Sequence, residues 1–79
     1  MQKIYVSQEG LDRLKAELQE CRERTTVVAR AIEHARGFGD LRENADYHAA
    51  KEEQAMLHAR IRDLEDKIAR AAVLDESNI

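Results

Sequence analysis

Asp40 and Glu43 stand three residues apart within Gly37-Phe38-Gly39-Asp40-Leu41-Arg42-Glu43-Asn44-Ala45-Asp46-Tyr47-His48, where the groups able to do chemistry are most crowded. At a helix start, that spacing brings both carboxylates to one face. Two carboxylates with an open, wet side suit a hard divalent cation such as Mg2+, which takes one or two protein oxygens and completes its shell with water and phosphate. Two are too few to hold the ion alone, so a second party would have to supply the other ligands. The same Asp-x-x-Glu spacing is also a capping box, in which Asp40 accepts an amide hydrogen and Glu43 reaches back to the cap. On spacing alone, both the metal reading and the capping reading stand.

Other candidates carry less. Asp46 reads as a solvated acid, and Tyr47 as a seam residue whose hydroxyl finds a partner near the tip. His34, His48 and His58 occur singly, without metal-ligand spacing, and read as surface histidines. Cys21 is the single cysteine and reads as a small buried apolar residue. No nucleophile sits beside an activating base, there is no phosphate loop, and no organic cofactor is implied.

The elements that must position the carboxylates follow from periodicity. Leu11, Leu14, Leu18, Cys21, Thr25, Val28, Ile32 and Ala35 recur at alternating spacings of 3 and 4, a heptad seam. Tyr47, Ala50, Gln54, Leu57, Ile61, Leu64, Ile68 and Ala71 repeat it. Ser7 can cap the first helix. Gly37 can leave it through a left-handed cap, and Gly39 frees the turn. The chain therefore reads as all-α, a single long antiparallel two-helix coiled-coil hairpin over 1–79: helix 8–36, tip turn 37–39, helix 40–73. Each helix extends roughly 40 Å at 1.5 Å per residue.

Folding back about residue 39 pairs Leu11 with Ile68, Leu14 with Leu64, Leu18 with Ile61, Cys21 with Leu57, Val28 with Ala50 and Ile32 with Tyr47. Thr25 and Gln54 should share one polar layer that sets register. Flanking charges agree: Glu17 beside Arg60, Arg24 beside Glu53, Lys15 beside Glu65. Ile4, Val6, Val73, Leu74 and Ile79 gather at the open end, either self-packed or as a docking face, and self-association is expected to be open to such a surface. Residues 75–78 read as the start of a linker.

Composition bounds the function classes. Charged residues make up 37% of the chain and aromatics 4%, with no proline, which suits long solvated helices. A net charge of -3 excludes a general nucleic-acid binder, so any such contact is local. No apolar run approaches a membrane span and the N-terminus lacks a signal-peptide core, so a cytoplasmic protein with no membrane contact is expected. Along one flank, Lys15, Arg22, Lys51, His58 and Arg36 form a broken basic stripe toward the tip: either a solvated flank or a track for phosphates. Phe38 either folds under the tip or meets a partner.

Gly39 to Gln54, and especially Tyr47-His48-Ala49-Ala50-Lys51-Glu52-Glu53-Gln54, closely resembles the coiled-coil tip of the bacterial GreA/GreB transcript-cleavage factors. The Glu-Gly and Leu-x-x-Glu-Leu pattern between Ser7 and Leu18, and Arg60 to Ala71, match as well. The resemblance implies an arm that enters the secondary channel of RNA polymerase, where residues matching Asp40 and Glu43 help to hold a catalytic Mg2+ shared with the polymerase. Cleavage of the 3′ end of backtracked nascent RNA follows. On this view the chain is not itself an enzyme, Asp40 and Glu43 are its catalytic and metal residues, and Arg36, Arg42, Lys51 and Arg22 contact RNA or polymerase. Family members usually carry proline where Thr26 stands and a non-glycine residue where Gly37 stands, and a globular C-terminal domain absent from these residues normally holds the factor to polymerase. Two alternatives remain: a Gre-like inhibitor that occupies the channel without promoting cleavage, and a structural coiled-coil module whose tip is only a cap.

Overall fold

The structure, a computed structural model, describes residues 2–74. The expected Ile79 of the apolar base and the linker over 75–78 lie outside them. Strand β1 (Ile4–Val6) leads into helix α1 (Gln8–Arg36), a 3-10 turn (Leu41–Glu43), helix α2 (Ala45–Arg70) and strand β2 (Ala71–Val73). The two helices pack along each other into an arm 61 Å long and 20 by 13 Å across.

Burial follows the heptads. In α1 every seam residue from Leu11 to Ala35 is buried or half-buried; the only other positions withdrawn from solvent are Gly10 and Glu17. In α2 the seam from Tyr47 to Ile68 is likewise withdrawn. Leu64 is fully buried and Val28 1% exposed, and Val28, Ile32 and Ala50 form a cluster flanked by Tyr47 and Leu57. A two-helix arm has one seam to bury and no second layer, which is why most seam residues are covered only in part.

Two flanking charge pairs occur as the register requires. Arg60 donates to both carboxylate oxygens of Glu17, at 2.6 and 2.8 Å, and Arg24 to both of Glu53, at 2.5 and 2.9 Å. The third pair differs: Glu65 stands 4.0 Å from Arg22 rather than beside Lys15. The polar layer differs too. The Thr25 hydroxyl donates to the Arg22 carbonyl of its own helix at 2.6 Å, and the Gln54 side-chain oxygen accepts from Lys51 at 3.1 Å. Threonine in a helix finds that local carbonyl without crossing the seam.

The second helix is shorter than 40–73 at both ends. Asn44, with ψ 96°, interrupts the ladder, so residues 41–43 form a separate 3-10 turn and α2 begins at Ala45. Asn44 caps α2 from outside, accepting from the Tyr47 N–H at 3.0 Å. Asparagine competes for backbone donors, which favours it at caps over helix interiors. At the other end Ala71 is extended, and Ala71–Val73 pairs in parallel with Ile4–Val6, in register Ile4 to Ala71 and Val6 to Val73. Leu74 N–H adds a bond to Val6 O at 2.8 Å. The strands run parallel although the helices run antiparallel, so they cannot both continue their helix axes. This clasp closes the all-α arm at its base and half-covers Ile4 and Val6, while Tyr5, Val73 and Leu74 stay exposed.

Candidate functional site

The tip is built by hydrogen bonds rather than burial. In the last turn of α1, Gly37 N–H donates to His34 O and Phe38 N–H to Ala35 O, both at 3.1 Å. Gly37 sits in the ordinary right-handed region (φ -73°) instead of the expected left-handed one. The reversal falls to Gly39 at φ +109°, a value L side chains rarely adopt. Asp40 then caps the 3-10 turn, its Oδ1 accepting from the Arg42 N–H at 2.9 Å.

Asn44 ties the ends of the two helices together. Its amide nitrogen donates to Ala35 O, near the end of α1, at 2.6 Å, while its oxygen caps α2. His48 adds a second tie: Nε2 lies 3.0 Å from Arg42 O, joining the first turn of α2 to the 3-10 turn. Neither role was foreseen from sequence. The available signal was an asparagine immediately before Ala-Asp, a standard helix-start pattern.

The capping box is only half formed. Asp40 caps and Glu43 N–H donates to Asp40 O at 3.3 Å, but among the described residues no hydrogen bond or ion pair engages the Glu43 carboxylate. Glu43, Asp40 and Asp46 instead share an open concavity of about 380 Å³ with Phe38, Asn44 and Ala45. Asp46, expected as a plain solvated acid, thus belongs to the same face. Among the described residues no three His, Cys, Asp or Glu side chains converge closely enough to form a metal cage. The tip offers the carboxylate oxygens of Asp40, Glu43 and Asp46 on one open side, a donor type that suits a hard divalent cation.

Two carboxylates of the shaft, Glu17 and Glu53, are each held by an arginine of the other helix. Hydrogen bonds from Arg60 hold Glu17 below its usual carboxylate range, and those from Arg24 do the same to Glu53, in each case against a smaller opposing effect of desolvation.

The four expected contact cations are exposed but do not line the concavity. Arg36 ends α1 and Arg42 lies in the 3-10 turn, flanking it; Lys51 and Arg22 lie down the shaft, bonded to Gln54 and near Glu65. Tyr47 packs on the Val28 cluster with its ring 5.7 Å from that of His48, and among the described residues its hydroxyl has no hydrogen bond; half-exposed, it needs none from the protein. No helix among the described residues is long and apolar enough to cross a membrane.

A family model described as "Transcription elongation factor, N-terminal" (GreA_GreB_N) matches residues 4–73. The chain is 46% identical over 79 residues to transcription elongation factor GreA of Novosphingobium aromaticivorans, covering all of this chain and 50% of that protein. It is 48% identical over 81 residues to GreA of Rhodospirillum rubrum, again with full coverage of this chain and 51% of the relative. It thus spans about half the length of these curated relatives. The solved structure of GreA factor homolog 1 of Thermus thermophilus superposes with a TM-score of 0.83 at 31% identity, over 95% of this chain and 49% of that one. A structure of the transcription factor Gfh1 does so with a TM-score of 0.87 at 31% identity, over 96% and 49%.

Proposed function

Because the chain belongs to the GreA/GreB N-terminal family of transcription elongation factors, we propose that it is the arm that enters the secondary channel of bacterial RNA polymerase and stimulates cleavage of backtracked nascent RNA. The observation that carries this reading is the placement of Asp40 and Glu43 on one open concavity at the far end of a 61 Å arm, with no hydrogen bond or ion pair on the Glu43 carboxylate among the described residues. A carboxylate whose work was capping would be turned back to the amide it caps.

Asp40 and Glu43 would hold Mg2+ jointly with the polymerase, and the ion would supply Lewis acidity and an activated water. The chain's own contribution is placement. The seam stiffens the arm, Asn44 and His48 hold the 3-10 turn against α2, and the turn presents both carboxylates on one side. Asp40 can meet an ion while still capping, because one oxygen serves the Arg42 N–H and the other is left over. Arg36 and Arg42 flank the acids and meet RNA or polymerase, with Lys51 and Arg22 following along the shaft. The chain is an accessory to another enzyme's hydrolysis rather than an enzyme on its own.

The test is cleavage of a radiolabelled transcript in a halted, backtracked polymerase complex at high concentration of the chain, comparing wild type with Asp40→Asn plus Glu43→Gln. Asparagine still caps a helix while neither amide supplies the charge a metal needs. The double variant is expected to lose at least about 100-fold in cleavage rate, the size of loss seen on removing a transition-state electrostatic contact, with helicity by circular dichroism unchanged. Wild type that binds and blocks without shortening the RNA would replace this reading with that of a channel inhibitor.

A further inference from the structure

The two carboxylates are not aimed in the same way. Asp40 is held through its own side chain, whose Oδ1 accepts from the Arg42 N–H at 2.9 Å. Nothing among the described residues engages the Glu43 carboxylate, so its backbone decides where that side chain sets out from. On one side that backbone is held by Asn44, whose side chain bonds Ala35 O and the Tyr47 N–H. On the other side lies the Arg42–Glu43 peptide unit. Its N–H makes only a long bond, 3.3 Å to Asp40 O, and its carbonyl is the one that His48 Nε2 meets at 3.0 Å. A carbonyl only accepts, so this contact needs the proton on Nε2, which leaves that nitrogen no lone pair for a cation. His48 is exposed, but its ring is backed by the fold. Its N–H is bonded to Asn44 O at 3.1 Å, and its ring lies 5.7 Å from that of Tyr47 at 68°, while Tyr47 packs on Val28, Ile32 and Ala50.

We propose that His48 is a positioning residue for cleavage: its Nε2–H fixes the Arg42–Glu43 peptide plane against the packed seam, and so aims the Glu43 carboxylate. The proposal rests on the reading that Asp40 and Glu43 act in cleavage, and it assigns their alignment to different groups. Asp40 aims itself by capping; Glu43 is aimed for it by a side chain of the next helix. A three-residue 3-10 turn has poor hydrogen-bond geometry of its own, so a peptide plane tied only through its N–H can tilt. Tilting that plane swings the Glu43 side chain away from Asp40. A misplacement of about 1 Å in a reacting group can cost about 100-fold, so one bond that limits the tilt matters more to the chemistry than to the stability of the arm.

The experiment pairs NMR of the free chain with cleavage in a backtracked complex, for wild type, His48→Gln and His48→Leu. Glutamine offers an amide nitrogen in place of Nε2; leucine keeps bulk and helix propensity but has no donor. The neutral ring of wild type is expected as the Nε2–H tautomer. The three-bond coupling between the Glu43 amide and α protons, which reports its φ, is expected to be kept by glutamine and changed by leucine. Cleavage at saturating factor is expected to stay close to wild type with glutamine and to slow by about fivefold with leucine, the scale of one net hydrogen bond. Helicity by circular dichroism is expected to be the same for all three, since the side chain is exposed. An Nδ1–H tautomer, or leucine that cleaves like wild type, overturns the proposal. Glutamine and leucine that both slow cleavage with the Glu43 coupling unchanged also overturn it, in favour of a direct contact between His48 and RNA or polymerase. If wild type does not cleave while the coupling still follows the donor, His48 aims Glu43 as proposed and the cleavage reading falls instead.

Discussion

The shaft and the tip of this arm are held by different forces. Along the shaft, order comes from apolar contact between two helices, with Leu64 and Val28 sealed from solvent and with Glu17 and Glu53 each paired with an arginine. From Arg36 to Glu43 every residue is exposed, and order comes from side chains that satisfy loose backbone ends: Asp40, Asn44 and His48. A region held by burial loses stability when changed; one held by caps changes shape first. This division leaves the packing of the shaft independent of the tip's carboxylates, although Asp40 helps to order the turn itself.

The largest effect that would test the division is expected at Leu64. Leu64→Ala removes a fully buried side chain and should cost about 2–5 kcal/mol, a large share of the stability of a chain this small. A thermal melt by circular dichroism should show the arm mostly unfolded or strongly lowered in Tm. A Tm close to wild type would mean that the seam is not what holds the arm. Asn44→Ala comes next, at about 1–2 kcal/mol for a lost cap. Because Asn44 also grips Ala35 O, cleavage should fall by more than the change in melting accounts for. Loss of stability alone, with full cleavage by the folded fraction, would show that the tip does not need this tie.

The shaft was legible in sequence because a heptad repeat states its own partner: one period gives both helices, the fold-back and the residues in the seam. The Glu17–Arg60 and Arg24–Glu53 pairs followed from that register. The tip was less legible because short-range competition decides it. Asp40, Asn44 and the 3-10 turn all bid for the same few amides, and Asn44 won the start of α2 that spacing assigned to Asp40. The end of α2 was overridden from afar, by a strand sixty-odd residues upstream that pairs with Ala71–Val73. Thr25 was a third miss, since a hydroxyl that reaches its own helix carbonyl has no need of Gln54.

A smaller effect separates the two glycines of the turn. A Cβ at Gly39 would meet no atom within 4 Å, so Gly39→Ala carries only the backbone cost of φ +109°, about 1 kcal/mol. With no buried contact holding the turn in that conformation, the strain should be relieved by a local shift, visible as slower cleavage with little change in Tm. At Gly37 the backbone is already right-handed, and the added Cβ would lie 3.3 Å from His34 O, a contact that a slight adjustment relieves. Gly37→Ala should therefore leave cleavage close to wild type. If the two substitutions prove equivalent, the turn is softer than the comparison with the shaft requires.

The smallest effect is the pH dependence of the shaft itself. Glu17 and Glu53 have folded-state pKa values lowered chiefly by hydrogen bonds from Arg60 and Arg24. A lowered folded pKa means that the unfolded chain binds more protons, so stability rises with pH through this window. The contribution is complete above the ordinary carboxylate value of about 4.3 and is lost as pH falls through the depressed values. Melts taken downward from neutral pH should show that loss, reduced by added salt because both pairs are exposed. The two pairs should not respond alike. In Glu17→Gln, Arg60 keeps Asp63, to which it already donates at 2.9 Å. In Glu53→Gln, Arg24 keeps no other acid among the described residues. Glu53→Gln should therefore flatten the acid limb more and lower the neutral-pH Tm further. The reverse order would place the electrostatic support of the arm nearer its base than its middle, and the tip would then be steadied by less of the shaft than the register implies.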